Sequence, residues 1–398
     1  MLRPSQRYLK SHFALKKNYI KQLILDRPMM LIFNALNPLV RLLSQQSREA
    51  DYLFLGPTHL GDLLMLSPAV GLLKKNSTGG RVFVVTGYSM KSLATDHLRY
   101  DGICEIELPW YGVRQVSHWA EIKSFIALMR LLAQRRPRVV FNYSTAGYHL
   151  DYLASWLSGI PERVGFGHKG MKYLLTRVIE FRENEVVAAR LVRMIAAWGG
   201  FSANGESLRP MFSVGDSSRI SARTTLAHLG MDLSQPVVGI GVGAQHSFLW
   251  PNSRWIEFCK RLHLNYKSTL VFLGTGDVTA DVDSIRSNLP FVTHSLTGQT
   301  SLEHLAAVIS ILDLLVTVDT GLRHLAASMG TRSVVIRHSA DRSSELGEYV
   351  ISEKLVQHHL PCSPCGARIC PLGTVACMSE ISAQEVLTAF MKFLPHSN

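Results

Sequence analysis

The segment "GPTHLGD", residues 56–62, sets one carboxylate, Asp62, after an apolar strand-like run and at the start of a helical one. A carboxylate there meets the positive end of a helix dipole, which favours its ionised form. Fixed in that state, it can serve as a general base. The same position equally suits a residue that only caps its helix. Gly61 permits a tight turn beside it, and His59, two residues earlier, offers a ring that could bind substrate.

A second constellation is "VDTGLRHLAASMG", residues 318–330. A strand running into Asp319-Thr320-Gly321, with a helix from about Leu322, aims free backbone amides, a hydroxyl and a helix dipole at one point. That combination suits a diphosphate, and His324 in the first turn could hydrogen-bond a phosphate oxygen. The plainer alternative is an ordinary capped helix with Arg323 and His324 solvated.

Residues 241–255, "GVGAQHSFLWPNSRW", carry a Gly239-x-Gly241-x-x-Ala244 spacing that superficially matches a dinucleotide fingerprint. A helix should begin at once in such a site. Trp250, Pro251 and Asn252 interrupt instead, so a nicotinamide or flavin site is rejected. What remains is a flexible turn with exposed amides around Gly243, together with Arg254, suited to a phosphate. The alternative is an interdomain loop with Trp250 and Trp255 as packing residues. Cys362, Cys365, Cys370 and Cys377 have C-x2-C-x4-C-x6-C spacing, which could close a tetrahedral zinc site. It lacks two clean knuckles, and reduced thiols packed in a C-terminal loop are the preferred reading. Cys104 and Cys259 read as isolated core thiols.

The elements around these loops alternate short apolar runs with amphipathic stretches, the pattern of an α/β chain with mostly parallel sheets. "DYLFL", "RVFVVTG" and "RVVFNYS" read as strands of a first domain, 51–205. Between the last two, Trp119, Ile122, Phe125, Ile126, Met129 and Leu132 recur at helical spacing and are expected to pack on the sheet. Residues 206–235 read as a linker with one helix near Ser218–Leu229, and 236–398 as a second domain with a Cys-rich loop at 362–377. In that domain Thr300 and Glu303 form a capping-box pair, and Gly330 stops the helix after Asp319. Ligands of open α/β sheets bind beyond the carboxyl ends of the strands, where these loops lie.

A chain of 398 residues with 47% hydrophobic and 18% charged residues is globular and can bury large cores, which excludes a disordered chain or a small disulfide scaffold. The formal charge of +12 favours an anionic partner. Residues 1–50 hold nine basic residues against two acids, a net +7, and are expected to be a partly helical extension able to lie on anionic lipid or to pack solvated on the body. Their apolar run, Met29 to Val40, is broken by Asn34, Asn37 and Pro38 and falls short of the ~20 residues a spanning helix needs. A secretory signal is also unsupported, so the chain is expected in the cytoplasm. No nucleic-acid motif accompanies the remaining charge, and a nucleic-acid partner is not expected.

Five segments in order resemble glycosyltransferase family 9, the bacterial lipopolysaccharide heptosyltransferases. They are "HLGDLLMLSPAVGLLKK", "VVGIGVGA" leading to "WPNSRW", "LVFLGTGD", "SLTGQTSLEHLAAVISILDLLVTVDTGLRHLAA" and "PCSPCGARICPLGTVACM". The resemblance covers about residues 51–390. It implies a GT-B fold of two Rossmann-like domains facing each other across a cleft, an acceptor domain followed by a donor domain. It also implies an inverting mechanism with no required metal or cofactor, and transfer from a nucleotide sugar, typically ADP-heptose, to a lipid-linked acceptor in the lipopolysaccharide inner core at the cytoplasmic face of the membrane. Asp62 matches the family's catalytic base, with His59 and Gly61 on the acceptor side. Gly243, Arg254, Thr320, Gly321, Leu322 and His324 fall to the donor, and Asp319 to sugar hydroxyls or to setting the loop. The family's lysine two residues before Trp-Pro is Phe248 here, which removes a cation from the donor phosphates. That departure keeps a second expectation alive, a catalytically silent sugar-nucleotide-binding or scaffold protein.

Overall fold

A computed structural model describes residues 51–393 apart from 57–58, 78, 87–94, 107, 110–116, 144–148, 168–170, 244–247, 341–348, 350–351, 366 and 368. The basic segment 1–50 and Ala244 of the glycine spacing lie outside the described residues. The chain divides into two compact units between Leu208 and Arg209.

The first unit runs β1 (Tyr52–Leu55), α1 (Leu60–Asn76), β2 (Val82–Thr86), β3 (Gly102–Glu105), α2 (His118–Arg135), β4 (Val139–Asn142), α3 (His149–Leu157), β5 (Glu162–Phe166), β6 (Arg177–Ile179) and α4 (Val187–Gly199). Its strands form one parallel sheet in the order β3-β2-β1-β4-β5-β6. The central strands are buried throughout because helices cover both faces. On one side α1 packs on α4, and Phe141 of β4 stacks on Phe54 and meets Trp198 edge-on at 5.2 Å. Pro68 inside α1 removes the N–H that would reach the Leu64 carbonyl, and the Ser67 hydroxyl donates to that carbonyl at 2.6 Å instead. The Ser-Pro pair thus passes through the helix without leaving a buried acceptor unmet.

The second unit runs α5 (Asp216–His228), β7 (Val237–Gly241), α6 (Asn252–Tyr266), β8 (Thr269–Phe272), α7 (Thr279–Arg286), β9 (His294–Ser295), α8 (Leu302–Ile309), β10 (Leu314–Val318), α9 (Gly321–Met329), β11 (Ser333–Arg337), β12 (Glu353–Gln357) and α10 (Ala383–Met391). Its parallel sheet has the order β12-β11-β10-β7-β8-β9, which is the first sheet's order read from the other edge. In each sheet the chain reverses its direction of growth between two central strands, β1 and β4 in one and β7 and β10 in the other. This is the Rossmann arrangement, whose ligands sit at that switch point. The loops singled out in sequence open at β1, β7 and β10.

Three expectations are corrected. In α2 Leu128 and Leu132 are buried and Phe125 and Met129 pack half-buried against the same core, while Trp119, Ile122 and Ile126 face solvent. The helix lies on the sheet by a narrow stripe, and periodicity alone does not say which of two apolar stripes is buried. Of the stretch read as a linker, residues 209–235 belong to the second unit: α5 packs on α8, and Ser218 hydrogen-bonds Glu303. Glu303 is thereby engaged away from any capping box, and the N-cap of α8 is Ser301, which accepts the His304 N–H at 3.2 Å, not Thr300.

Trp250 and Trp255 are both buried and meet edge-on at 4.7 Å, so the packing reading holds for them. Trp250 Nε1 also donates to the Ile381 carbonyl at 2.9 Å, tying the entry of α6 to the entry of α10. Replacing Trp250 with Phe is expected to lower unfolding free energy by about 1–3 kcal/mol, as a buried carbonyl loses its donor. Urea unfolding with an unchanged slope and a lower midpoint is the readout.

Candidate active site

Asp319 follows β10 without leaving the sheet, since its N–H donates to the Ile336 carbonyl at 3.2 Å. Its buried carboxylate lies between Arg323 Nη1 at 3.1 Å and Arg337 Nε at 2.6 Å. Arg323, fully buried, also forks Glu353 at the head of β12, with Nη2 to Oε1 at 2.7 Å. Two cations and two anions thus link β10, α9, β11 and β12. Burial works against the Asp319 charge, but Arg323 and Arg337 carry its pKa down to about 2. Burial pushes Glu353 up despite its fork to Arg323. Burial would lower Arg323, yet Asp319 and Glu353 more than reverse that.

Both Asp319 oxygens are therefore engaged by arginines, and of its two expected roles the geometry carries the setting of the loop. Arg323 and His324 are likewise not solvated. His324 is buried, with Nδ1 2.8 Å from the Tyr349 hydroxyl, whose ring also lies 5.2 Å from the Arg323 guanidinium. Thr320 is the N-cap of α9 with extended backbone, but its side chain does not cap the helix. Its hydroxyl oxygen is buried and has no hydrogen-bond partner among the described residues. The first amides of a helix, here Gly321 and Leu322, have no intrahelical acceptor. At the other end of α9, Gly330 turns at φ +80° and Arg209 donates to the Ala327 and Ser328 carbonyls at 2.7 and 3.0 Å. The helix has a cation at its negative end, and its positive end carries amides with no intrahelical acceptor.

Residues 244–247 of the β7 loop lie outside the described residues, and Gly243 and Phe248 on either side of them pack on protein. A Cβ on Gly243 would lie 2.7 Å from Val278 Cγ1, so close packing already requires glycine there. Arg254, in the first turn of α6, pairs with Glu257 at 3.1 Å. Phe248 is 2% exposed and stacks on His338 with ring centroids 4.4 Å apart. The position aligned with the family's lysine thus faces the core. Cys362, Cys365 and Cys370 are half-buried, Cys377 is buried, and all four are free thiols. Among the described residues no three His, Cys, Asp or Glu side chains gather as a metal-binding group. Burial raises the Cys370 thiol, but backbone N–H groups of Val375, Leu372, Gly373 and Thr374 together bring it below the usual value.

In the first unit the chain leaves β1 through Gly56 at φ +137°, and it is this glycine, not Gly61, that takes the turn. Gly61 lies inside α1, and His59 is its N-cap. The His59 N–H donates to Asp62 Oδ2 at 2.9 Å, and His59 Nδ1 lies 3.4 Å from the same oxygen. Asp62 does cap its helix, through Oδ2, while its side chain stays about one-third exposed (32%). A neighbour that sequence reasoning missed is Tyr143, just past β4, whose N–H donates to the Leu55 carbonyl at 3.2 Å. It is buried, and its hydroxyl has no partner among the described residues. Burial first, then the Asp62 carboxylate, holds its pKa well above the phenolic range. The signal available in sequence was its place: the first residue after the strand that neighbours β1.

The family model described as "Glycosyltransferase family 9 (heptosyltransferase)" matches residues 154–376, more than half of the chain. The chain belongs to glycosyltransferase family 9. The matched span contains Gly243, Arg254 and Asp319–His324, while the Asp62 loop precedes it. Among curated family relatives, "Lipooligosaccharide heptosyltransferase 2" of Campylobacter jejuni is 23% identical over 169 residues, 41% of this chain and 52% of that protein. The chain thus spans about half the length of the curated relative it matches. A glycosyltransferase family 9 structure from Veillonella parvula superposes with a TM-score of 0.72 at 18% identity, covering 87% of this chain and 99% of the other. E. coli heptosyltransferase WaaC with ADP-2-deoxy-2-fluoro heptose gives 0.63 at 15%, covering 86% and 100%. At these identities the likeness is one of fold: two Rossmann-like units of the GT-B type.

Changing Asp319 to Asn leaves two buried arginines facing a neutral partner and is expected to cost about 3–5 kcal/mol at pH 7. The folded pKa lies below the ordinary value of 3.8, so the stability it confers is complete above that value and is lost as pH falls toward about 2. Denaturant titrations from pH 7 downward should show wild type and variant converging in that window. Equal stability at pH 7 would contradict the assignment.

Proposed function

We propose that this chain is an inverting glycosyltransferase that moves heptose from ADP-heptose to a lipid-linked acceptor of the lipopolysaccharide inner core. The observation that carries this reading is Thr320: a buried hydroxyl with no hydrogen-bond partner among the described residues, at the head of a helix that its side chain does not cap, on a loop clamped by buried charge. A diphosphate supplies the acceptors that Thr320, Gly321 and Leu322 lack, with His324 beside them. The WaaC structures with ADP and with an ADP-heptose analogue support an adenosine diphosphate sugar as the probe.

The reaction is a single displacement. The acceptor oxygen attacks the anomeric carbon as the bond to the diphosphate breaks, and the configuration inverts. Asp62 takes the acceptor proton; the cap engages Oδ2, and part of the carboxylate faces solvent. Charge developing on the departing diphosphate falls on the α9 amides and Thr320, which supply the stabilisation a divalent cation would otherwise give, so the reading is metal-independent and needs no cofactor. His59 and Gly61 border the acceptor, and Gly243 and Arg254 the donor. In this reading the first unit, ending at Leu208, is the acceptor domain and the second, from Arg209, the donor domain. No helix among the described residues is long and apolar enough to cross a membrane. The reading places the chain in the cytoplasm, peripheral on the inner membrane, with no nucleic-acid partner.

Phe248 favours a second reading, a silent sugar-nucleotide-binding protein, because no cation stands at that position. Transfer assays with ADP-heptose and a lipid-linked core acceptor separate the two. Asp62→Asn keeps an acceptor for the His59 N–H, and is expected to lower kcat by about 10²–10⁴ with KM for the donor little changed. Thr320→Val should leave Tm unchanged, since the hydroxyl has no partner among the described residues, while weakening ADP by about tenfold or more. Binding of ADP with no turnover by wild type sinks the enzyme reading and leaves the silent one.

A further inference from the structure

Trp119, Ile122 and Ile126 of α2 are 74%, 46% and 44% exposed. Their spacing of three and four residues aligns them in one stripe along the helix. The opposite side is committed, because Leu128 and Leu132 are fully buried against Leu53, Phe83 and Val140 of the sheet. The helix cannot turn to hide the stripe without emptying that core. Lys123 and Arg130, both exposed, fall on the stripe's own face at the same helical spacing. Glu121 is the helix's one acid; it lies on the far side and pairs with His118 at 3.3 Å.

We propose that this face of α2 docks on an anionic lipid bilayer, with Trp119, Ile122 and Ile126 entering the headgroup region and Lys123 and Arg130 on lipid phosphates. The inference deepens the membrane part of the proposed function by naming the surface that meets the lipid. Charge selects the occupant. A second copy packed about a two-fold axis would set Lys123 and Arg130 against themselves with no acid of α2 on that face to answer them. Residues 1–50, with a net +7, are repelled for the same reason. An acidic protein would satisfy the charge. However, three side chains on one convex helix fall far short of the roughly 800 Å² per partner of a stable protein interface. An interfacial helix requires only a shallow apolar face flanked by basic residues, and Trp is enriched at that depth.

The test uses the full chain and vesicles of phosphatidylcholine with or without phosphatidylglycerol. Wild type is expected to partition onto the anionic vesicles, and a Trp119→Ser, Ile122→Ser, Ile126→Ser variant to partition at least tenfold more weakly with Tm unchanged. Brominated acyl chains should quench part of the wild-type Trp fluorescence, and that part should vanish in Trp119→Phe. The proposal is overturned by equal partitioning of variant and wild type, or by quenching that Trp119→Phe leaves intact. A wild-type dimer that the triple variant converts to monomer also overturns it, by assigning the face to a second copy. Thermal shift with ADP, run on the same proteins, reports the donor site separately, so a failed donor reading leaves the partitioning result standing.

Discussion

Arg323 and Arg337 are buried cations, and a cation in a protein interior persists only where anions meet it with good geometry. Asp319 and Glu353 do so, in a chain of contacts that spans the carboxyl edge of the second sheet and crosses to β12. Such a cluster contributes little net stability compared with an apolar core of the same volume, but removing any member leaves the buried charge of the others unbalanced. Its effect is therefore to hold one geometry. The turn from β10 into α9 keeps its shape because Asp319 is gripped from α9 and from β11 at once.

That constraint explains what the rest of the site leaves open. With Asp319 engaged by the arginines and Arg323 by the acids, the Thr320 hydroxyl at the head of α9 has no hydrogen-bond partner among the described residues, and the first amides of the helix have no intrahelical acceptor. Arg209 meets the carbonyls at the far end of the same helix, so the helix is balanced at its negative end and unbalanced at its positive end. The first unit uses the same topological position more loosely. Asp62 caps α1 through Oδ2 and remains partly in solvent, and the buried Tyr143 hydroxyl has no partner among the described residues. Capping and proton transfer are compatible in Asp62, because the cap fixes the carboxylate without burying it.

Strand-and-helix alternation was readable because parallel strands covered on both faces are near-continuous apolar runs, as "VFVVT" and "LLVTV" are. The Asp319-Thr320-Gly321 turn was readable for the same reason: a strand, a short polar turn and a helix follow one another directly. The side chains' engagements were not. A solvated Arg323 stands as an alternative in the sequence because its partner Glu353 lies thirty residues away on β12, and no local pattern announces that fork. In α2, Trp119 and Leu132 obey the same period, and only the sheet decides which is covered. Gly61 drew attention as a turn glycine, whereas the positive φ belongs to Gly56. Phe248 could be recognised as a departure from the family pattern, but its stacking on His338 depends on the approach of β11.

The central claim is that the head of α9 holds a diphosphate. Isothermal titration of the full chain with ADP and with AMP, at fixed pH and ionic strength, tests it most directly, because the two ligands differ only in the second phosphate. The account predicts that ADP binds at least about tenfold more tightly, the worth of one or more charge-assisted hydrogen bonds. Equal affinities, or no binding of either, would contradict it.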